Sequence, residues 1–171
     1  MITKIKQSKG FSLIELLIVV LIVGIIAAIA IPNLLAARRS ANEGSAISSL
    51  RTLHGAQMTY QTSVGSGNYA GTNGSTGDAT GLAVLQAARL IDMSLGIGTK
   101  GGYNFIGAIS IAGVGTPATF FFSANPVSDT GVTKSGTRRF CTTQTGLIRY
   151  DTVDLAVPFD STTAETASPY N

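Results

Sequence analysis

Polar and apolar positions divide this chain into three regimes. Residues 11–31 read FSLIELLIVVLIVGIIAAIAI, and only Ser12 and Glu15 are polar there. A helix rises 1.5 Å per residue and a bilayer core is about 30 Å thick, so a run of this length predicts one transmembrane helix. After Pro32 the pattern becomes one-sided. Ile47, Leu50, Leu53, Ala56 and Tyr60 recur every three to four residues, leaving Arg38, Arg39, Glu43 and Arg51 for solvent or neighbours. Helix is therefore predicted over residues 11–62. Pro32 should kink it about one turn back, and Gly44 and Gly55 each weaken it by about 1 kcal/mol relative to alanine.

The third regime, residues 63–171, reads as a head. It opens with SVGSGNYAGTNGSTGDATG, residues 63–81, which has little to bury and predicts a surface loop. TGLAVLQAARLID then predicts a helix of about three turns with Leu82, Leu85 and Leu90 inward. YNFIGAISI, ATFFFSA, TRRFCTT and LIRYD alternate with glycine-rich turns and predict short strands, the last two joined through Gln144, Thr145 and Gly146 as a hairpin. The resulting fold class is α+β: a long N-terminal helix packed against an antiparallel sheet of about four strands.

Charge narrows the function classes less than it first promises. The net charge is +3, but Lys4, Lys6 and Lys9 stand in the first ten residues, and without them nine basic residues face nine acidic ones. A neutral remainder argues against nucleic acid as a partner. Lys134, Arg138, Arg139 and Arg149 read as a solvated strand edge. The lysines before the apolar run favour a cytoplasmic N-terminus, with the rest of the chain outside. Cys141 is the single cysteine, so no disulfide can form within the chain; inside RRFCTTQ it reads as a small buried residue.

Glu15 is the anomaly. A carboxylate in hydrocarbon costs about 3 kcal/mol even on lenient insertion scales, so it needs a partner or a purpose. The surrounding residues, KGFSLIELLIVVLIVGIIAAIAIPNL, resemble the N-terminus of type IV prepilins and of the pseudopilins of type II secretion systems. The likeness covers about the first 60 residues, with Gly10, Phe11, Glu15 and Pro32 at the family's spacing. It implies that a prepilin peptidase cuts between Gly10 and Phe11, removes residues 1–10 as a leader and N-methylates Phe11. The cut creates an α-amino cation, and Glu15 stands four residues away. Its partner is then its own amino terminus, on the same helix face, or that of an adjoining subunit; the resemblance favours the second. Gly24 with Ala28 forms a small-xxx-small pair suited to close helix approach, and residues 24–32 are where assembled family members can lose helicity.

Head motifs match the family more loosely, through Gly102-Tyr103, residues 124–126 and residues 136–140. The C-terminal disulfide loop of well-known pilins has no counterpart, so the tail VPFDSTTAETASPYN must be held by packing or stay partly loose.

Little else suggests chemistry. His54 is the only histidine and has no cysteine or acidic cluster beside it; Asp151 and Asp154 form a weak Ca²⁺ candidate pair; Asn73-Gly74-Ser75 matches a glycosylation sequon. No cofactor and no catalysis are expected. The resemblance implies a structural subunit, held in the inner membrane and then polymerised with identical or related subunits on an assembly platform. The filament is a type IV pilus or, alternatively, the periplasmic one of a type II secretion system. A membrane-anchored binding protein that does not polymerise is the reading from another class.

Overall fold

The computed structural model describes residues 10–170. All of the leader except Gly10 lies outside the described residues. Helix α1 spans Leu13–Ser63 and stays helical through Pro32. The chain divides into two compact units, one ending at Ala36 and one beginning at Ala37.

In the second unit the apolar stripe of α1 does what its spacing predicts. Ile47, Leu50, Leu53 and Ala56 are buried, and Tyr60 is partly so. They pack under a six-stranded antiparallel meander in the order β1 to β6. Four strands are the predicted ones: β2 (Tyr103–Ser110), β3 (Thr119–Pro126), β4 (Arg139–Thr143) and β5 (Ile148–Asp151). The additional two, β1 (Thr99–Lys100) and β6 (Ser168–Pro169), are two-residue edges too short to leave a periodic signal.

Side chains alternate across the sheet, so the triplet Phe120-Phe121-Phe122 serves both faces. Phe120 and Phe122 join Tyr103, Phe105 and Phe140 against α1, while Phe121 joins Ala108 and Cys141 beneath Phe159 and Ala164 of the tail. Close strand contact depends on Gly107, paired with Phe122: a Cβ there would fall on the Phe122 ring and 2.6 Å from the Phe121 carbonyl oxygen. The β4–β5 hairpin closes as predicted, with Gly146 at φ 74° and its N–H donating to the Thr143 carbonyl at 3.0 Å.

Three local expectations need correction. Residues 63–81 are more than surface loop: Tyr69 and Ala70 are buried, and residues 72–78 cover the free edge of β2 through Gly74–Ile109, Ile109–Thr72 and paired Asp78–Gly107 backbone bonds. Such cover removes a template for edge-to-edge aggregation. The helix predicted over residues 80–92 stops early as α2 (Thr80–Ala87), Arg89 turning to φ 60°, and a separate α3 (Met93–Gly96) follows, capped by Asp92, which accepts from Leu95 N–H. Leu82 and Leu85 are buried, but Leu90 is only half-buried. The tail forms α4 (Thr163–Thr166) and then β6.

Candidate functional site

The stretch from Phe11 to Leu34 presents its apolar side chains bare. Phe11 and Leu13 are each 80% exposed, and Leu34 still 69%. Helix α1 is long and apolar enough to cross a membrane. Gly10 and Phe11 precede the helix, exposed and outside regular structure, with open space around the Gly10 Cα. A Cβ on Gly24 would likewise meet nothing, so this position lies on open helix surface.

Glu15 sits at the third helical position. Its Oε2 accepts the Ser12 backbone N–H at 3.0 Å, half of a Ser-x-x-Glu capping box. The other carboxylate oxygen has no partner among the described residues. In the uncut chain the Phe11 nitrogen is a peptide nitrogen, so the glutamate stabilises the helix start and meets no cation among the described residues. Cleavage after Gly10 would convert that nitrogen to an amine four residues away.

A second acid on α1 is placed quite differently. Glu43, 5% exposed, accepts three hydrogen bonds from one loop, from Thr137 N–H at 2.8 Å, Thr137 Oγ1 at 2.7 Å and Arg138 Nε at 3.0 Å, and its ion pair with Arg138 brings Nη2 to 2.9 Å. Of the two roles left open for Glu43, solvent or a neighbour, it takes neither solvent nor another chain but a loop of its own head. Arg138 lies within 6.0 Å of the ring centroids of Phe140, Tyr150 and Tyr170, and its carbonyl accepts the Tyr103 hydroxyl at 2.8 Å. No side chain of residues 37–42 is buried; beyond Glu43, Gln57, fully buried, brackets the Ala70 peptide by donating to its carbonyl and accepting its N–H. Both polar residues share the stripe of Ile47, Leu50 and Leu53. A polar residue in register with an apolar stripe was the signal for a long-range partner.

The basic cluster is not a solvated edge. Arg139 is 8% exposed, stacked 4.2 Å from the Phe159 ring centroid, and it donates to Asp151 Oδ2 and the Val157 carbonyl. Arg149 donates to the Ala167 carbonyl at 2.9 Å. Together with Asn125, whose amide donates to the Leu155 and Val157 carbonyls, these residues hold the tail that lacks a disulfide. Asp151 is thereby committed: Arg139 takes one oxygen, and the Thr152 and Val153 N–H groups take the other, which holds its carboxyl below the ordinary range. Among the described residues no three His, Cys, Asp or Glu side chains gather to hold a metal. Burial raises the Cys141 thiol pKa to about 12, leaving it protonated and inert. His54 packs 5.8 Å from Phe120 and contacts the Gln144 carbonyl at 3.4 Å.

Comparison with known proteins places the similarity in the helix. Residues 5–31 match the prokaryotic N-terminal methylation motif. Over 38 residues the chain is 63% identical to the type IV wide pilus major component PilA4 of Thermus thermophilus, covering 22% of this chain and 29% of that one. Over 54 residues it is 44% identical to the type IV major pilin protein PilA of Myxococcus xanthus, covering 32% and 24%. Over 56 residues it is 32% identical to the type II secretion system core protein G of Klebsiella pneumoniae, covering 33% and 40%. The chain thus spans between a quarter and two fifths of the length of these relatives, and no solved structure matches it significantly.

Proposed function

We propose that this chain, whose N-terminal third is that of the type IV pilin and pseudopilin family, is the structural subunit of an extracellular type IV pilus. The observation that carries the reading is the methylation motif at residues 5–31 running into a helix whose large apolar side chains, from Leu13 to Leu34, stand exposed among the described residues. Such a surface demands a bilayer, other helices, or both in turn. The subunit begins as a single-pass inner-membrane protein with its lysine-flanked end in the cytoplasm, and it becomes a building block rather than a catalyst.

Assembly follows from the chemistry at the helix start. Prepilin peptidase cuts after Gly10, where the absent side chain admits extended backbone to the peptidase, and methylates Phe11. The new amino group, cationic at neutral pH, gives Glu15 a stronger partner than the Ser12 N–H. Glu15 of an incoming subunit meets the amino terminus of a neighbour. Leaving the bilayer without that pair means carrying an unpaired buried charge, so the contact sets register. Gly24 lets neighbouring helices approach closely, and Pro32, which cannot donate a backbone hydrogen bond, is where the helix can loosen as subunits pack.

The match to core protein G supports a second reading, a pseudopilin forming a periplasmic filament. Mass spectrometry of the mature N-terminus, with microscopy and surface shearing of wild-type and deletion strains, tests both. N-methylated Phe11 in long sheared fibres that the deletion strain lacks supports the pilus. Processed protein confined to the envelope favours the pseudopilus, and unprocessed protein overturns both.

A further inference from the structure

The unit beginning at Ala37 contains a cleft of about 300 Å³ walled by residues 73–75, the adjoining ends of β2 and β3, the end of β4 and the tail. Its size is at the lower end of small-molecule sites, right for a short saccharide and too small for a polymer chain. The cleft is defined by its polar groups. Asn73 and Gln144 bring amides, Ser110 and Ser161 hydroxyls, and Glu165 a carboxylate; none of these side chains is used in a hydrogen bond among the described residues. No lysine, arginine or histidine lines it. Phe120 and Phe121, with side chains buried in the two cores, fix the floor; of the polar groups Ser110 stands on β2, and the others are carried by the loop at residue 73, the β4–β5 turn and the tail.

Amides and hydroxyls both donate and accept, whereas a carboxylate only accepts. An anion entering here would find no cation and one repelling charge. An apolar ligand would strip water from two amides and a carboxylate without replacing those hydrogen bonds, at about 1–3 kcal/mol for each group left unpaired. A ligand bearing several hydroxyls satisfies all of them: its O–H groups donate to Glu165 and accept from the amides. We propose that this cleft binds a neutral polyhydroxylated ligand, a saccharide. The Asn73-Gly74-Ser75 tripeptide then belongs to the wall of a sugar-binding cleft. The inference rests on the head alone and is independent of whether the chain polymerises.

The test uses the full chain in a detergent whose headgroup carries no sugar. It is titrated with neutral mono- to tetrasaccharides and with sulfated or sialylated counterparts, followed by saturation-transfer NMR, and the same protein is applied to immobilised glycans. Saturable binding of neutral sugars should appear. Gln144→Ala and Glu165→Gln should each weaken it about tenfold while leaving the thermal midpoint in place. Binding to immobilised glycans as well identifies a surface glycan as the ligand, and binding of free sugars alone a soluble one. Preference for the anionic sugars, binding unchanged in both variants, or no binding by protein with an intact unfolding transition overturns the proposal.

Discussion

Two glutamates stand on one helix, and the chain treats them in opposite ways. Glu15 is exposed, with a single local bond to the Ser12 N–H, whereas Glu43 is buried and holds Thr137 and Arg138 from the far side of the sequence. The apolar residues around them divide the same way: Leu21 is 58% exposed, and Leu50 is fully buried. Residue type does not explain the contrast. What differs is where the partners come from. Beyond Ala37 the chain supplies its own; before Ala36 the large apolar side chains stand exposed, and under the proposed function lipid or other subunits cover them. On that reading the first unit is built for exchange and the second for permanence.

Matched substitutions in the two units should expose that difference. Leu50→Ala should destabilise the folded head by about 2–5 kcal/mol, because a buried cavity is left. Leu21→Ala, in detergent, should leave the same unfolding transition within experimental scatter. Equal losses for both would break the comparison. Glu43→Ala strands Arg138 and the Thr137 N–H and should cost about 3 kcal/mol, the low end for a broken buried pair because Arg138 keeps 35% of its side chain in water. Glu15→Ala should not move the head's midpoint. Gln57→Ala, which leaves the Ala70 peptide unsatisfied, should cost about 1–3 kcal/mol and increase proteolysis within residues 63–78.

Smaller effects report on pH. Asp151 has a lowered pKa in the fold, chiefly through its Arg139 hydrogen bond, so its contribution is complete above the ordinary value of 3.8 and lost as pH falls below it. Asp151→Asn should flatten the acid limb of a midpoint-versus-pH curve. Cys141 acts in the opposite direction: its ordinary value is 9.0 and its folded value about 12, so stability is complete below pH 9.0 and declines as pH rises toward about 12. At pH 8, iodoacetamide should label it only in denaturant.

The sequence exposed whatever is periodic or local. The stripe from Ile47 to Ala56, the four longer strands and the Gly146 hairpin could be read directly, because spacing and turn chemistry leave signatures within a few residues. The N-terminal motif was legible for the same reason. Arg139 was misread because polarity was equated with solvent, Glu43 was left to solvent or neighbours, and Gln57 drew no reading at all. The partner of Glu43 stands 94 residues away, and nothing local announces it. The tail escaped reading similarly: Phe159 and Ala164 carry no pattern of their own and are ordered by Asn125, Arg139 and Arg149. Nor could residues 63–81 reveal their role, since backbone cover of a strand edge depends on carbonyl and N–H groups that every residue possesses.

The central claim is that the bare half of α1 assembles through Glu15. Its most direct test is Glu15→Val in the native strain, with the mature N-terminus read by mass spectrometry and filaments counted by microscopy. The account predicts a chain that is cut after Gly10 and methylated at Phe11 as in wild type, remains in the membrane and forms no filaments. Filaments of normal number and length from that variant would contradict it.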